Sequence, residues 1–561
     1  MGAAVEAPPK LDIETRLFIG GDFVDSAEGG RIPVLNPHDN SLLAEVSEAR
    51  QADVDRAVEA ARRAFPAWKR TSAAERGRLL LKLADAIEAD AEYLAKLETL
   101  DTGHPIRDTR GLDAPRTAAT FRYYAGMADK IDGRVAPVEA GFLNYITREP
   151  VGVVGQIVPW NFPLMFTGWK LGPALAAGNT VVLKPDPNTP WNATRLGRLI
   201  AEHTDIPAGV VNVVPTPSNE VAAILGTDPR VDMVSFTGST AVGKLLMRQG
   251  ADTMKRMFLE LGGKSVAIVL DDANPSAILG AAVGVCVHAG QACAATTRML
   301  VHRSLFDDAL ATITAAYAAV PVGDPVAPET LVGPVISAAQ KERVLTAVER
   351  ARRDGAEIPV GGGEVANLPE HLSGGHYVAP TVIVGVDNGA AIAQEEVFGP
   401  VLIVLPFDDD DEAVRIANDS AYGLAGAVMS RSLERGMNIA RRIRTGSFGI
   451  NGGMFYGADA PFGGYKNSGV GRQCGIEGFQ QYLETKTLGY RLPRHRSQPV
   501  RHTMTGSNVS SATPAPDPGV GSDTATSDTL MKPNCVRFRN CVADPTICSS
   551  RSASLGTSSY V

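Results

Sequence analysis

Four groups, far apart in the chain, could do chemistry together. Cys293 ends the small-residue turn Gly290-Gln291-Ala292-Cys293. A thiolate there can attack a carbonyl carbon, and the oxyanion that forms needs positioned N–H donors. Asn161, in Pro159-Trp160-Asn161-Phe162-Pro163, is a candidate donor. A thioester formed later needs a base to deprotonate water, and Glu260, ahead of Leu261-Gly262-Gly263, is a candidate for that work. The turn at Gly238 and Ser239 opens an apparent helix whose N-terminus could receive a pyrophosphate. Each signal also has an ordinary reading. Buried cysteines are often inert core residues, an Asn beside prolines is a turn former, and a Glu before Leu-Gly-Gly is commonly a surface or capping group. The run Gly238 to Gly243 also lacks the second glycine of the usual dinucleotide fingerprint. Residue chemistry alone therefore reaches an α/β enzyme with nucleotide-binding features and a candidate thiol.

These groups need elements to position them. The apolar runs 151–158, 180–183, 210–214 and 233–236 read as strands buried on both faces of a parallel sheet. They alternate with turns and helices at the spacing of crossover units, which predicts a doubly wound α/β domain with ligands at the carboxyl ends of its strands. Further strand-like runs, 266–270, 299–302 and 401–405, predict a second α/β region carrying Cys293. Upstream, 17–23 and 34–35 suggest short antiparallel pieces. Val54, Ala57, Val58, Ala61 and Phe65 repeat on one helical face. Ser72 with Glu75 reads as a capping box opening a helix through Leu80, Leu83, Ile87 and Leu94. The acids from Asp408 to Glu412 read as a solvated loop or helix start, not a metal site.

Bulk properties narrow the class. A chain of 561 residues exceeds one core and predicts two or three domains. A net charge of -8 without any basic block argues against a nucleic-acid partner. No apolar run approaches the ~18 residues of a membrane span, and the N-terminal stretch has no secretory pattern. A cytoplasmic location is the expectation. Only Cys286, Cys293 and Cys474 fall in the long globular part, which fits free thiols rather than a disulfide framework. Residues 497–561 are rich in Ser, Thr, Pro and Gly and read as disordered; their three cysteines lack zinc-site spacing, so no metal is expected.

Six motifs in order give a specific resemblance: PWNFP at 159–163, FTGST at 236–240, LELGGK at 259–264, GQAC at 290–293, EEVFGP at 395–400 and PFGGYKNSG at 461–469. Together they resemble the aldehyde dehydrogenase superfamily over about residues 15–490. The resemblance implies a Rossmann-type NAD(P)-binding domain (15–132 and 151–262), an α/β catalytic domain (263–474) and a β oligomerisation arm (133–150 and 475–496) that builds a homodimer or homotetramer. It implies Cys293 as nucleophile, Asn161 as oxyanion donor with the Cys293 backbone N–H, Glu260 as general base and Lys170 as a proton-relay lysine. Cofactor contacts carry over to Trp160, Lys184, Pro187, Gly238, Ser239, Glu396 and Phe398. Pro187 is a departure, because NAD-preferring relatives often hold a ribose-gripping Glu there. NAD is expected, with NADP as the alternative. The presence of Glu260 implies hydrolysis to a free acid rather than transfer to coenzyme A. Phe162, Phe166, Trp169, Tyr456 and Phe462 are implied to line a substrate tunnel suited to apolar or aromatic aldehydes. No Arg or Lys lies between Asn451 and Pro461 to hold a second carboxylate, which disfavours acid semialdehydes. The competing classes are a ligand-binding protein without turnover and a cofactor-independent esterase using the same thiol.

Overall fold

The computed structural model describes residues 12–453 and 456–492. The expected disordered tail, 497–561, with its three cysteines, lies outside the described residues. Continuous apolar strands need cover on both faces, and helices supply it. Val153–Ile157, Thr180–Lys184, Val211–Val213, Met233–Thr237 and Arg256–Glu260 form the parallel centre of an eight-stranded sheet. Four of these strands coincide with the apolar runs read from the sequence, to within two residues at each end; the fifth, Arg256–Glu260, has no counterpart among those runs. Numbered along the chain, the five lie in the order 3-2-1-4-5, so the direction of winding reverses between Val153–Ile157 and Met233–Thr237. That reversal opens a crevice at their carboxyl ends. The expected hairpin Leu17–Ile19 and Asp22–Val24 closes one edge, and Gly469–Val470 pairs antiparallel with Leu259 and Glu260 at the other.

The upstream helices differ from expectation at one joint. Leu80, Leu83 and Ile87 are buried in Ala73–Ala89, but Leu94 belongs to a separate helix, Ala91–Thr102. The break falls at Asp90, whose carboxylate takes a two-pronged hydrogen bond from Arg195 at 2.7 Å on each arm. Ser72 does cap its helix, accepting from the Glu75 N–H at 3.2 Å. The reciprocal half of the capping box is not made, because the Glu75 carboxylate pairs with Arg78 instead.

A second, seven-stranded sheet runs Glu357–Val360, Thr381–Val384, Val401–Phe407, Arg298–His302, Val266–Val269, Gly426–Met429 and Gly449–Ile450. All its pairings are parallel except that of Glu357–Val360. It has its own apolar core, with Val269, Leu300, Ile403 and Phe407 fully covered. The acidic run begins a helix, Asp410–Asn418, with Asp409 as its cap. A three-stranded antiparallel sheet joins Arg134–Ala136, Phe142–Pro150 and Leu483–Arg491, with Pro150 opposite Leu483 and Phe142 opposite Arg491. Among the described residues, no helix is long and apolar enough to cross a membrane, and no cluster of metal-ligating side chains occurs.

Candidate active site

The loop carrying Cys293 is held in an uncommon backbone shape. His288 (φ 49°), Ala289 (φ 53°) and Gly290 (φ 74°) are three consecutive left-handed residues, a conformation that costs energy at the two that have side chains. Gly290 meets a second demand, since a Cβ there would collide with the backbone of Gly399 and Pro400. Gln291 ties the loop down: its side-chain N–H donates to the His288 carbonyl at 3.1 Å, and its side-chain oxygen accepts from Ile336 N–H at 2.9 Å. Beneath, the buried His288 ring lies 4.3 Å from that of His104, whose Nδ1 is 2.8 Å from Asp113 Oδ2.

Around the half-buried Cys293 thiol, the structure brings together the other groups singled out in the sequence. Asn161, 3% exposed, donates through Nδ2 to the Gln291 carbonyl at 2.9 Å. That bond orients the carboxamide and leaves the second N–H of the same nitrogen for another acceptor. Glu260 ends its strand with both carboxylate oxygens buried and without hydrogen-bond partners. Burial pushes its carboxyl well above the usual range, opposed by Lys170 and Arg472. The Cys293 thiol is pushed up to about 12 by burial and by the nearby Glu260 and Glu396, while backbone N–H groups of Ala294 and Cys293 oppose the shift. Lys170, fully buried on helix Pro163–Ala177, donates to Ser235 Oγ at 2.9 Å. Burial lowers it to about 7, against the pull of Glu260.

A cleft at the switch point has Cys293 at its floor. Trp160, Asn161, Gly238, Ser239, Glu260, Glu396 and Phe398 line it. Ser239 caps helix Thr240–Gln249, so the first-turn N–H groups open toward the cleft. Glu396 accepts from Gly263 N–H at 3.0 Å, and the Trp160 and Phe398 rings meet edge to face at 5.3 Å. Lys184 and Pro187 are not in this wall. Lys184 ends the strand beside Ile157, its ammonium lowered by burial, and Pro187 is half-buried in the turn that follows. Two lining residues were not anticipated, Gln340 and Arg343. They sit one turn apart on helix Ala338–Arg353 and donate to the carbonyls of Phe398 (2.8 Å) and Glu396 (2.9 Å). Their segment reads as a charged surface helix, and only the tertiary contact reveals the task. A dinucleotide fits this cleft, with helix N–H groups for phosphate and the buried, unpartnered Thr237 Oγ1 on the wall.

On the other side Cys293 opens on an apolar cavity of about 600 Å³. All five tunnel candidates, Phe162, Phe166, Trp169, Tyr456 and Phe462, line it, and successive rings lie 5.4–6.1 Å apart. Phe162, Met165, Phe166 and Trp169 form one face of their helix and its lead-in. The facing wall has the same spacing with small residues, Ala277, Gly280, Ala281 and Gly284. Leu112 and Arg116 complete the rim and were not anticipated.

With that geometry in view, residues 23–488 match the aldehyde dehydrogenase family model. The chain is 42% identical over 480 residues to the putative aldehyde dehydrogenase DhaS of Bacillus subtilis, covering 85% of this chain and 96% of that protein. The structure of a putative aldehyde dehydrogenase from Burkholderia cenocepacia superposes with a TM-score of 0.84 at 49% identity, covering 86% of this chain and 98% of that one. PnpE from Pseudomonas sp. WBC-3, in complex with nicotinamide adenine dinucleotide, superposes with a TM-score of 0.83 at 47% identity over 86% and 98% of the two chains. A match that spans both sheets and the arm strands, at this identity, leaves one conclusion: the chain belongs to the aldehyde dehydrogenase family.

Proposed function

We propose that the protein oxidises an aldehyde to its carboxylic acid through a thioester on Cys293, with NAD as the preferred cofactor. One observation carries this reading: Cys293, with Phe166 beside it, lines both the cleft at the switch point and the apolar cavity. A thiol at that junction can meet an aldehyde from one side and a cofactor from the other. Bound in the cleft, a nicotinamide dinucleotide supplies the acceptor for the aldehyde's hydride. The chain's own residues do the rest. The Cys293 thiol gives its proton to water as Sγ bonds to the carbonyl carbon, and the oxygen gains negative charge toward the second Nδ2–H of Asn161 and a backbone N–H of the loop. Loss of hydride leaves a thioester on Cys293. Glu260 takes a proton from water, the hydroxide adds to the thioester carbon, and the acid departs as the thiol re-forms. Lys170, whose charge acts on Glu260, helps relay protons to and from it, supported by its fall to about 7.

The eight-stranded sheet with its flanking helices serves as the cofactor domain, the seven-stranded sheet as the catalytic domain. Pro187 carries no carboxylate to repel a 2′-phosphate, so NADP is accepted at lower efficiency. Glu260→Gln is the test, read by rapid mixing with NAD and benzaldehyde. The expected result is a burst of reduced cofactor equal to the sites present, followed by turnover slowed about 10²- to 10⁴-fold, with acyl-enzyme seen by mass spectrometry. Unchanged steady-state turnover would remove Glu260 from the mechanism, and a lost burst would place it before thioester formation.

A further inference from the structure

Two histidines that the mechanism does not use lie in contact beneath the thiol. His104 and His288 are far apart in the chain, and both are fully buried. Their rings stand 4.3 Å apart, and each also meets the Phe162 ring, His104 at 5.4 Å and His288 at 5.3 Å. Three rings thus join three elements: the turn after helix Ala91–Thr102, the loop carrying Cys293 and the turn carrying Asn161. His104 is seated from outside. Its Nδ1 lies 2.8 Å from Asp113 Oδ2, and its neighbour Gly103, left-handed at φ 75°, passes so close to Pro334 that a Cβ would come within 2.7 Å of that ring. Helix Ala91–Thr102 holds the Asn161 turn as well, since Glu98 Oε2 accepts from Leu164 N–H at 3.3 Å.

What this stack opposes is backbone strain. His288 and Ala289 keep left-handed conformations that side chains disfavour, and these persist only where the surroundings over-determine them. From that backbone the line to the oxyanion donor is short. The His288 carbonyl accepts both the backbone and the side-chain N–H of Gln291 at 3.1 Å, and the Gln291 carbonyl in turn orients Asn161 Nδ2 at 2.9 Å. The His288 ring also faces the Asn161 backbone, which opposes the fall in pKa that burial and His104 impose on it. A neutral ring packs there without burying a charge. Resting on the oxyanion role of Asn161 given above, we propose that His288, seated by His104 and Asp113, is a positioning residue: its ring locks the strained loop and so keeps the Asn161 carboxamide aimed at the carbonyl oxygen of the bound aldehyde. It lines neither the cleft nor the apolar cavity. Its effect passes through Asn161.

The test is a double-mutant cycle on the full-length protein with NAD and benzaldehyde, at a temperature where circular dichroism shows every variant folded. Asn161→Ala should lower kcat about 10²- to 10³-fold. His288→Ala should lower kcat about 10- to 100-fold and leave KM for benzaldehyde within about threefold, because the binding walls are untouched and only alignment is lost. With Asn161 already removed, His288→Ala should cost less than about threefold more. His288→Phe, which keeps a ring in the stack, should recover most of kcat. A merely structural role would lower the melting temperature and leave kcat intact, which would overturn the proposal. So would losses that multiply in the double variant, or a Phe variant as impaired as the Ala one. Should His288→Ala not fold, His104→Leu takes its place in the cycle; the same non-additive loss is expected, and an additive or absent loss would overturn the proposal. Asn161→Ala by itself reports the underlying reading. Unchanged kcat there defeats that reading and this one together, whereas a loss there with intact kcat in His288→Ala defeats only this one.

Discussion

At the scale of single residues, the site keeps its ionisable groups away from their ordinary charge states. The Cys293 thiol, pushed up to about 12, is protonated near neutral pH, so a base or a bound cation must assist its ionisation. Without cofactor, the thiolate fraction should grow about tenfold per pH unit. Iodoacetamide labelling of Cys293, located by mass spectrometry, should therefore climb with no plateau between about pH 7 and 9. A plateau below about pH 8 would show a thiol already ionised. Lys170 gives a second prediction with a definite sign. Its folded-state value, about 7, lies below the unfolded 10.5, so between the two the unfolded chain holds the extra proton and stability rises with pH. Below about 7 the buried ammonium carries its full cost. Lys170→Met should raise stability by about 1–4 kcal/mol near pH 6, a gain that shrinks toward about pH 10, while activity falls. Thermal melts at the two pH values check this, and an equal gap at both would refute it.

At the scale of elements, legibility depended on whether an element's task was local. The central strands were legible because burial on both faces writes itself as a continuous apolar run, and Cys293, Asn161 and Glu260 stood out within ordered motifs. The joint at Asp90 was not legible, since the apolar spacing continues through it with no Gly or Pro, and a distant partner, Arg195, holds it. Nor was the place of Gln340, Arg343 or Arg116 in the cavity walls, because a helical Arg reads the same whether it faces water or a cleft. The left-handed His288 and Ala289 were equally hidden, as neither residue type announces that conformation. The small-residue face of helix Pro275–Gly284 is the element-scale counterpart of the aromatic wall. A Cβ at Gly280 would meet nothing within 4 Å, so a larger side chain there enters the cavity without clashing. Gly280→Phe should raise KM for benzaldehyde at least about tenfold and leave acetaldehyde nearly unchanged, because filling a pocket excludes ligands by volume. Equal KM changes for both aldehydes would mean that this face does not bound the substrate.

At the scale of the whole molecule, the three-stranded arm is the part least explained by its own fold. Register places Val135, Tyr145 and Leu488 in one row across the strands, and Leu143 with Tyr490 in the next row on the same face. Val135 is 64% exposed and Tyr490 52%, so a sheet face rich in apolar side chains is open in the single chain. Both flanking strands, Arg134–Ala136 and Leu483–Arg491, are also sheet edges with unpaired backbone groups. A chain of net charge -8 gains nothing by leaving such a surface uncovered unless another copy covers it. We infer that the arm joins copies of this chain into a dimer or tetramer, pairing like surfaces about a twofold axis. Tyr145 lies on the central strand of that face, where a carboxylate would be buried without a partner in the assembly yet solvated in the lone chain. Tyr145→Glu should therefore leave the secondary structure intact by circular dichroism while shifting the sedimentation coefficient to a smaller species. A single-chain species for the unmodified protein across micromolar concentrations, or an unchanged assembly in the variant, would defeat the assignment.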